Sequence, residues 1–170
     1  MKTNILTLTT ALLLLGGGFV ACNHSQEPEA IGTPPVSAPT DVSAFFKTYL
    51  PPSSSSHPEP AFNFSEIDYR DTECFVINSL EEFEIVAPPS VELPLIDFDK
   101  YTLIIGQHSL GDPGYTLLKQ AIDTESDEMT LNLLYKRTGG AHPAVVTTFY
   151  FWGLYTKLPG KTVAIDVTII

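Results

Sequence analysis

The side chain in this sequence with the most defined chemistry is the thiol of Cys22, because of what precedes it. Small residues end the run Phe19-Val20-Ala21 directly before the cysteine, with Phe19 departing from the Leu usual at its place, behind a lone cation at Lys2 and an apolar run from Leu12 onward. That order is what a secretion apparatus and a lipoprotein-processing peptidase read. It predicts cleavage after Ala21 and attachment of lipid (palmitate-type acyl chains) to Cys22. A spanning helix is the poorer reading: it needs about 20 apolar residues, whereas Asn4, Thr7, Thr9 and Thr10 dilute this segment and Gly16-Gly17-Gly18 interrupts it. Asn23 after the cysteine is not the usual inner-membrane retention signal. The expected address is therefore the cell outer membrane, with the protein facing the periplasm or exposed on the surface.

Two further groups could bind rather than react. The run Arg137-Thr138-Gly139-Gly140-Ala141-His142-Pro143 concentrates a donor-rich guanidinium, a hydroxyl, an imidazole and a compliant backbone in one loop, and loops carry function more often than scaffolds do. Arg137, Thr138, Gly139 and His142 are its candidate binding residues, against the plainer role of a hairpin connection. The second group is Phe149-Tyr150-Phe151-Trp152. On a strand, alternate members face opposite ways, so Tyr150 and Trp152 form a sugar- or protein-binding platform if their face is bare and simple core if a helix covers it.

Other fragments fail as motifs. The acidic stretch from Asp123 has Glu128 where a calcium loop needs glycine and Leu134 where it needs its bidentate glutamate. No close Cys or His pair offers a zinc site, and neither a metal nor a cofactor is expected. Cys74 lies in an apolar run and reads as a small buried hydrophobe. No Gly-x-Ser-x-Gly elbow occurs, and Ser53 to Ser56 sit in linker-like sequence. His108 and His142 precede or occupy loops. The chain is not expected to be an enzyme.

Composition narrows the partners. The formal net charge is -11, and the expected signal peptide removes only the cation Lys2, so the remainder is more acidic still. Binding nucleic acid needs clustered Lys and Arg to displace counterions from phosphates, which excludes that class.

The elements that must position these residues fall into three stretches. Residues 1–21 form the signal peptide and 22–60 a Pro- and Ser-rich tether. Within the tether, Val42, Phe45, Phe46, Tyr49 and Leu50 fall at helical spacing near 41–50; Thr40 or Asp41 can cap this helix and Pro51 stop it. Its aromatic face needs a cover, and docking on its own domain is the plainest. Residues 61–170 form a single β-rich globular domain. Cys74 to Ile77 suits a buried strand. Ser79 and Glu82 have capping-box spacing for a short helix whose Leu80, Phe83 and Val86 face the core. Strands follow at 101–107, 115–122, 129–136, 145–155 and 163–169, separated by turn sequences. The fold class expected is α+β, mostly β: an antiparallel meander of about five to six strands with one or two short helices, as a sandwich or partly open barrel.

Asn78-Ser79-Leu80-Glu81-Glu82-Phe83, Ile96 to Gly106, Gly114-Tyr115 opening a strand, and the terminal strand 163–169 resemble small lipoproteins of Bacteroidetes bacteria. In element order, residues 74–170 are also similar to the C-terminal domain of the PrcB family, associated with a bacterial protease complex. Gly114 and Tyr115 carry over; Asp112 and Pro113 depart from the Thr-Gly usual there. The resemblance implies a partner-binding envelope domain rather than a catalyst. The function expected is that of a lipid-anchored envelope protein whose non-catalytic β-rich domain binds another protein, the alternative being a carbohydrate or small-ligand binding lipoprotein.

Overall fold

The structure is a computed structural model that describes residues 32–54, 61–124, 128–160 and 162–170. The expected signal peptide, Cys22 and the acidic turn at 125–127 lie outside the described residues.

Six strands form two three-stranded sheets. The first contains β1 (Thr72–Ile77), β2 (Tyr101–Leu110) and β5 (Thr147–Thr156) in the order β1-β2-β5, all antiparallel. The second contains β3 (Tyr115–Asp123), β4 (Met129–Arg137) and β6 (Val163–Ile169) in the order β3-β4-β6. The fold is thus an α+β, mostly-β sandwich. Its connectivity is not a simple meander, because β6 runs parallel to β4 and the chain changes sheet after β2, β4 and β5.

Alternation explains the layering. Phe149, Phe151 and Tyr155 of β5 meet Leu131, Leu133 and Tyr135 of β4 between the sheets, while Leu103, Ile105 and Leu154 point the other way into a second core under the helices. Gly106 is fixed by close approach: a Cβ there would lie 2.2 Å from Phe151 Cζ and 2.6 Å from the Glu73 carbonyl oxygen.

Helix α1 (Thr40–Tyr49) completes that second core. Pro39 stands at its N-cap without a side-chain cap bond, so Thr40 and Asp41 lie inside the helix rather than capping it. Val42, Phe45 and Phe46 are buried against Phe62, Phe83 and Trp152. Helix α2 (Leu80–Val86) has its capping box: Ser79 Oγ accepts from Glu82 N–H at 3.2 Å, and Glu82 Oε2 accepts from the Asn78 N–H at 2.7 Å. Phe83 and Val86 enter the core, but Leu80 does not; it is 51% exposed, because the one buried face of this short helix is filled by the other two.

The Pro-rich stretch reads differently once placed. Within 32–54 it is an edge strap and not a tether. Thr33 exchanges two backbone hydrogen bonds with Ile122 of β3, and Val36 N–H donates to the Leu154 carbonyl of β5 at 2.7 Å. After α1, Tyr150 N–H donates to the Pro52 carbonyl and Ser54 N–H to the Thr148 carbonyl. The outward backbone of β5 is thereby paired by a segment whose prolines sit where no amide is required.

Candidate functional site

The loop residues singled out by sequence do come together, at the end of the second sheet. Asp112 Oδ1 accepts from Gly114 N–H at 2.8 Å, and its Oδ2 lies 3.1 Å from Arg137 Nη2. The guanidinium also sits 5.5 Å from the centre of the Tyr115 ring. Thr138 N–H donates to the Gly114 carbonyl, and Thr138 Oγ1 is 3.2 Å from His142 Nε2. A Cβ at Gly114 would fall 2.2 Å from His142 Cδ2, so a larger residue there would push the His142 and Asp112 side chains aside. These contacts join the two turns, so the cluster's geometry is that of a clasp between them. Gly139 stands clear of it, with nothing within 4 Å of the place its Cβ would take.

The aromatic candidates lie elsewhere, on the helix-covered face of the first sheet. Trp152 stacks on Phe46 at 4.2 Å between centroids and 16° between planes. Tyr150 stacks on Phe64 at 5.6 Å. The face is thus covered by α1 at Trp152, while Tyr150 is half-buried beside Phe64 and lines a cleft.

Between the sheets lies a polar set that sequence reasoning missed. His108 belongs to β2 rather than to a loop, and is 3% exposed. Its Nδ1 lies 2.7 Å from Thr72 Oγ1 and 3.1 Å from the Asp71 carbonyl oxygen. Burial holds the imidazole pKa below its ordinary value, more strongly than the Asp71 carbonyl raises it. Among the described residues, Nε2 and the hydroxyls of Tyr135 and Tyr155 are buried without a hydrogen-bond partner, as is that of Ser109, which alternation along β2 turns to the other face of the sheet. The same burial, aided by Glu73, pushes the Cys74 thiol up to about 11, which makes it a poor nucleophile at neutral pH. Among the described residues, no group of three or more His, Cys, Asp and Glu side chains is placed to hold a metal ion. Nor is any described helix long and apolar enough to cross a membrane.

An open groove of about 430 Å³ lies between α2 and the chain that follows it, with Leu80, Pro88, Pro89, Val91, Pro94 and Leu95 among its walls. Leu95 is 90% exposed and Ile85, close by on α2, 71%. Residues 78–99 carry six carboxylates and no Lys or Arg. Of these, Asp97 binds Lys100 at 2.6 Å and Glu82 serves the helix cap. Glu84 lines the groove itself. The sequence signal was present in the excess of apolar residues over core positions around Pro88 and Pro94, but it names no face.

Comparison with protein-family models, with curated proteins and with solved structures returns no match for this chain.

Proposed function

We propose that this is a lipid-anchored protein of the bacterial envelope whose β-rich domain binds another protein and performs no catalysis. The observation that carries the reading is the groove beside α2. The largely exposed Leu95 and half-exposed Leu80 beside this groove cost hydration free energy in the free protein that a partner recovers. The local excess of carboxylates selects the occupant: a segment of a partner protein with one or two large apolar side chains flanked by Lys or Arg. The signal sequence ending at Cys22 supports the lipid anchor, and the resemblance to PrcB-type domains supports a binding role.

The test uses the full chain in detergent and a panel of labelled peptides, cationic amphipathic against acidic amphipathic, read by fluorescence anisotropy. The cationic set is expected to bind saturably and more weakly as salt rises, and Leu95→Asp to weaken it at least tenfold. Equal binding of both sets, no saturable binding, or indifference to Leu95→Asp would sink the proposal.

One observation favours the small-ligand alternative. Tyr150 and Phe64 wall a cleft of about 570 Å³ with Ser65, Gln107 and Thr148, a mixture of ring face and hydrogen-bonding groups suited to a sugar. Intrinsic fluorescence titration with oligosaccharides tests it: a saturable change lost in Tyr150→Ala supports this reading, and a flat titration counts against it.

A further inference from the structure

The second sheet ends in a strand that the rest of the described chain leaves bare. β6 pairs with β4 on one side, in a parallel register without shifts from Val163 to Ile169. Among the described residues no strand or backbone hydrogen bond reaches its other side. The ladder shows which groups are left over. Ile170 N–H donates to the Tyr135 carbonyl and the Ile170 carbonyl accepts from Arg137 N–H, so even-numbered residues turn their backbone towards β4. Val163, Ile165, Val167 and Ile169 then direct their N–H and C=O outward. The side chains of Val163, Ile165 and Val167 pack only partly into the core between the sheets.

Edge strands are normally guarded by Lys, Pro or a bulge. β6 has none of these, and its one charge is Asp166. Its sequence is also close to self-complementary: Thr162-Val163-Ala164-Ile165-Asp166-Val167-Thr168 reads alike in both directions except at Ala164 and Asp166. An isologous contact needs this property, since each residue must suit the one it meets across the two-fold axis.

We propose that two copies of this chain join through β6, antiparallel, about a two-fold axis at Ile165. In that register Ile165 meets Ile165 and Val163 meets Val167 of the other copy, so the outward N–H and C=O groups of all three exchange hydrogen bonds. The three side chains extend the inter-sheet core of one copy into the other, and Thr162 meets Thr168, a favourable cross-strand pair. On the outer face Asp166 lies opposite Ala164. An axis at Asp166 would pair Val163 with Ile169 and Ile165 with Val167 but set the two carboxylates directly opposite each other, which disfavours it. Charge therefore decides against a register that hydrogen bonding alone would allow. This surface is separate from the groove beside α2, and neither proposal requires the other.

Sedimentation equilibrium of the full chain in density-matched detergent tests the proposal. The expected result is a concentration-dependent monomer–dimer equilibrium. Ala164→Asp, which places carboxylates opposite one another twice per dimer, is expected to weaken it about tenfold. Adding Asp166→Lys to that variant restores it, and Ala164→Lys alone tightens it severalfold. Circular dichroism melts of each variant establish that the monomer is folded. A folded protein that stays monomeric at all concentrations overturns the proposal. So does a dimer indifferent to Ala164→Asp, or one that Asp166→Lys fails to rescue.

Discussion

The two sides of the sandwich solve the same problem in opposite ways. On one side the outward backbone of β5 is met along much of its length: Val36, Pro52 and Ser54 supply main-chain partners, and Gln120 Nε2 donates to the Trp152 carbonyl at 2.5 Å. On the other side β6 shows a comparable row of N–H and C=O groups and nothing within the described chain to meet them. The difference lies in sequence chemistry. The closed side is covered by a strap rich in proline, which can accept from β5 through its carbonyls yet cannot recruit a further strand. The open side is β-branched, unguarded and nearly palindromic, which is the composition of a strand that expects company.

Four measurements would break or sharpen this contrast. The largest effect is expected on the closed side, from Phe46→Ala. Phe46 is fully buried and stacks on Phe62, Phe83 and Trp152, so its truncation costs about 3–5 kcal/mol in urea unfolding. A change within about 0.5 kcal/mol, the usual effect of a surface substitution, would mean that the strap is a tether after all.

Next comes Val36→Pro, which removes the 2.7 Å bond to the Leu154 carbonyl and leaves that acceptor without its strap partner. A loss of about 1–2 kcal/mol is expected by the same assay. An unchanged midpoint would place the strap's contribution in α1 alone.

The third effect concerns pH, and it reports on how β1 is held to β2. His108 is buried neutral and its native pKa is lowered. The unfolded chain therefore binds a proton that the native state refuses, so stability is unaffected well above the ordinary histidine pKa of 6.5 and declines as pH falls through it. His108→Asn, which can still reach Thr72 but does not titrate, is expected to flatten that part of the profile. A decline of the same size in the variant would assign it to other groups.

The smallest effect belongs to the groove. Leu95→Asp is expected to change unfolding free energy by less than about 0.5 kcal/mol, because a side chain 90% exposed has little packing to lose. A larger loss would show that Leu95 belongs to the fold rather than to a docking surface.

Much of this architecture was legible in the residues. Strand positions followed from alternation, and the capping box at Ser79 and Glu82 predicted where α2 starts. The amphipathic spacing of Val42, Phe45 and Phe46 revealed α1 and its need for cover. Three features were not legible, each for a physical reason. Proline disfavours a regular interior strand but is equally at home in an extended linker and an edge strap, so Pro34, Pro35, Pro51 and Pro52 could not reveal which they formed. The period-2 pattern of 163–169 is the same for parallel and antiparallel pairing, so β6's direction was hidden. A single histidine at the end of an apolar run carries no sign of burial, which is why His108 was read as a loop neighbour. In the candidate site, the nearness of Thr138 and His142 was readable from their spacing of four. The stacking of Trp152 on Phe46 was not, because it depends on where a helix over a hundred residues earlier comes to rest.

Amide hydrogen exchange on the full chain, followed residue by residue at low and high protein concentration, tests the contrast between the two edges most directly. The amides of Thr148 and Tyr150 on the closed edge are expected to be protected at both concentrations. Those of Val163, Ile165 and Val167 should exchange fast when dilute and become protected as concentration rises. Protection of β6 that is independent of concentration, or exchange at β5 as fast as at dilute β6, would contradict it.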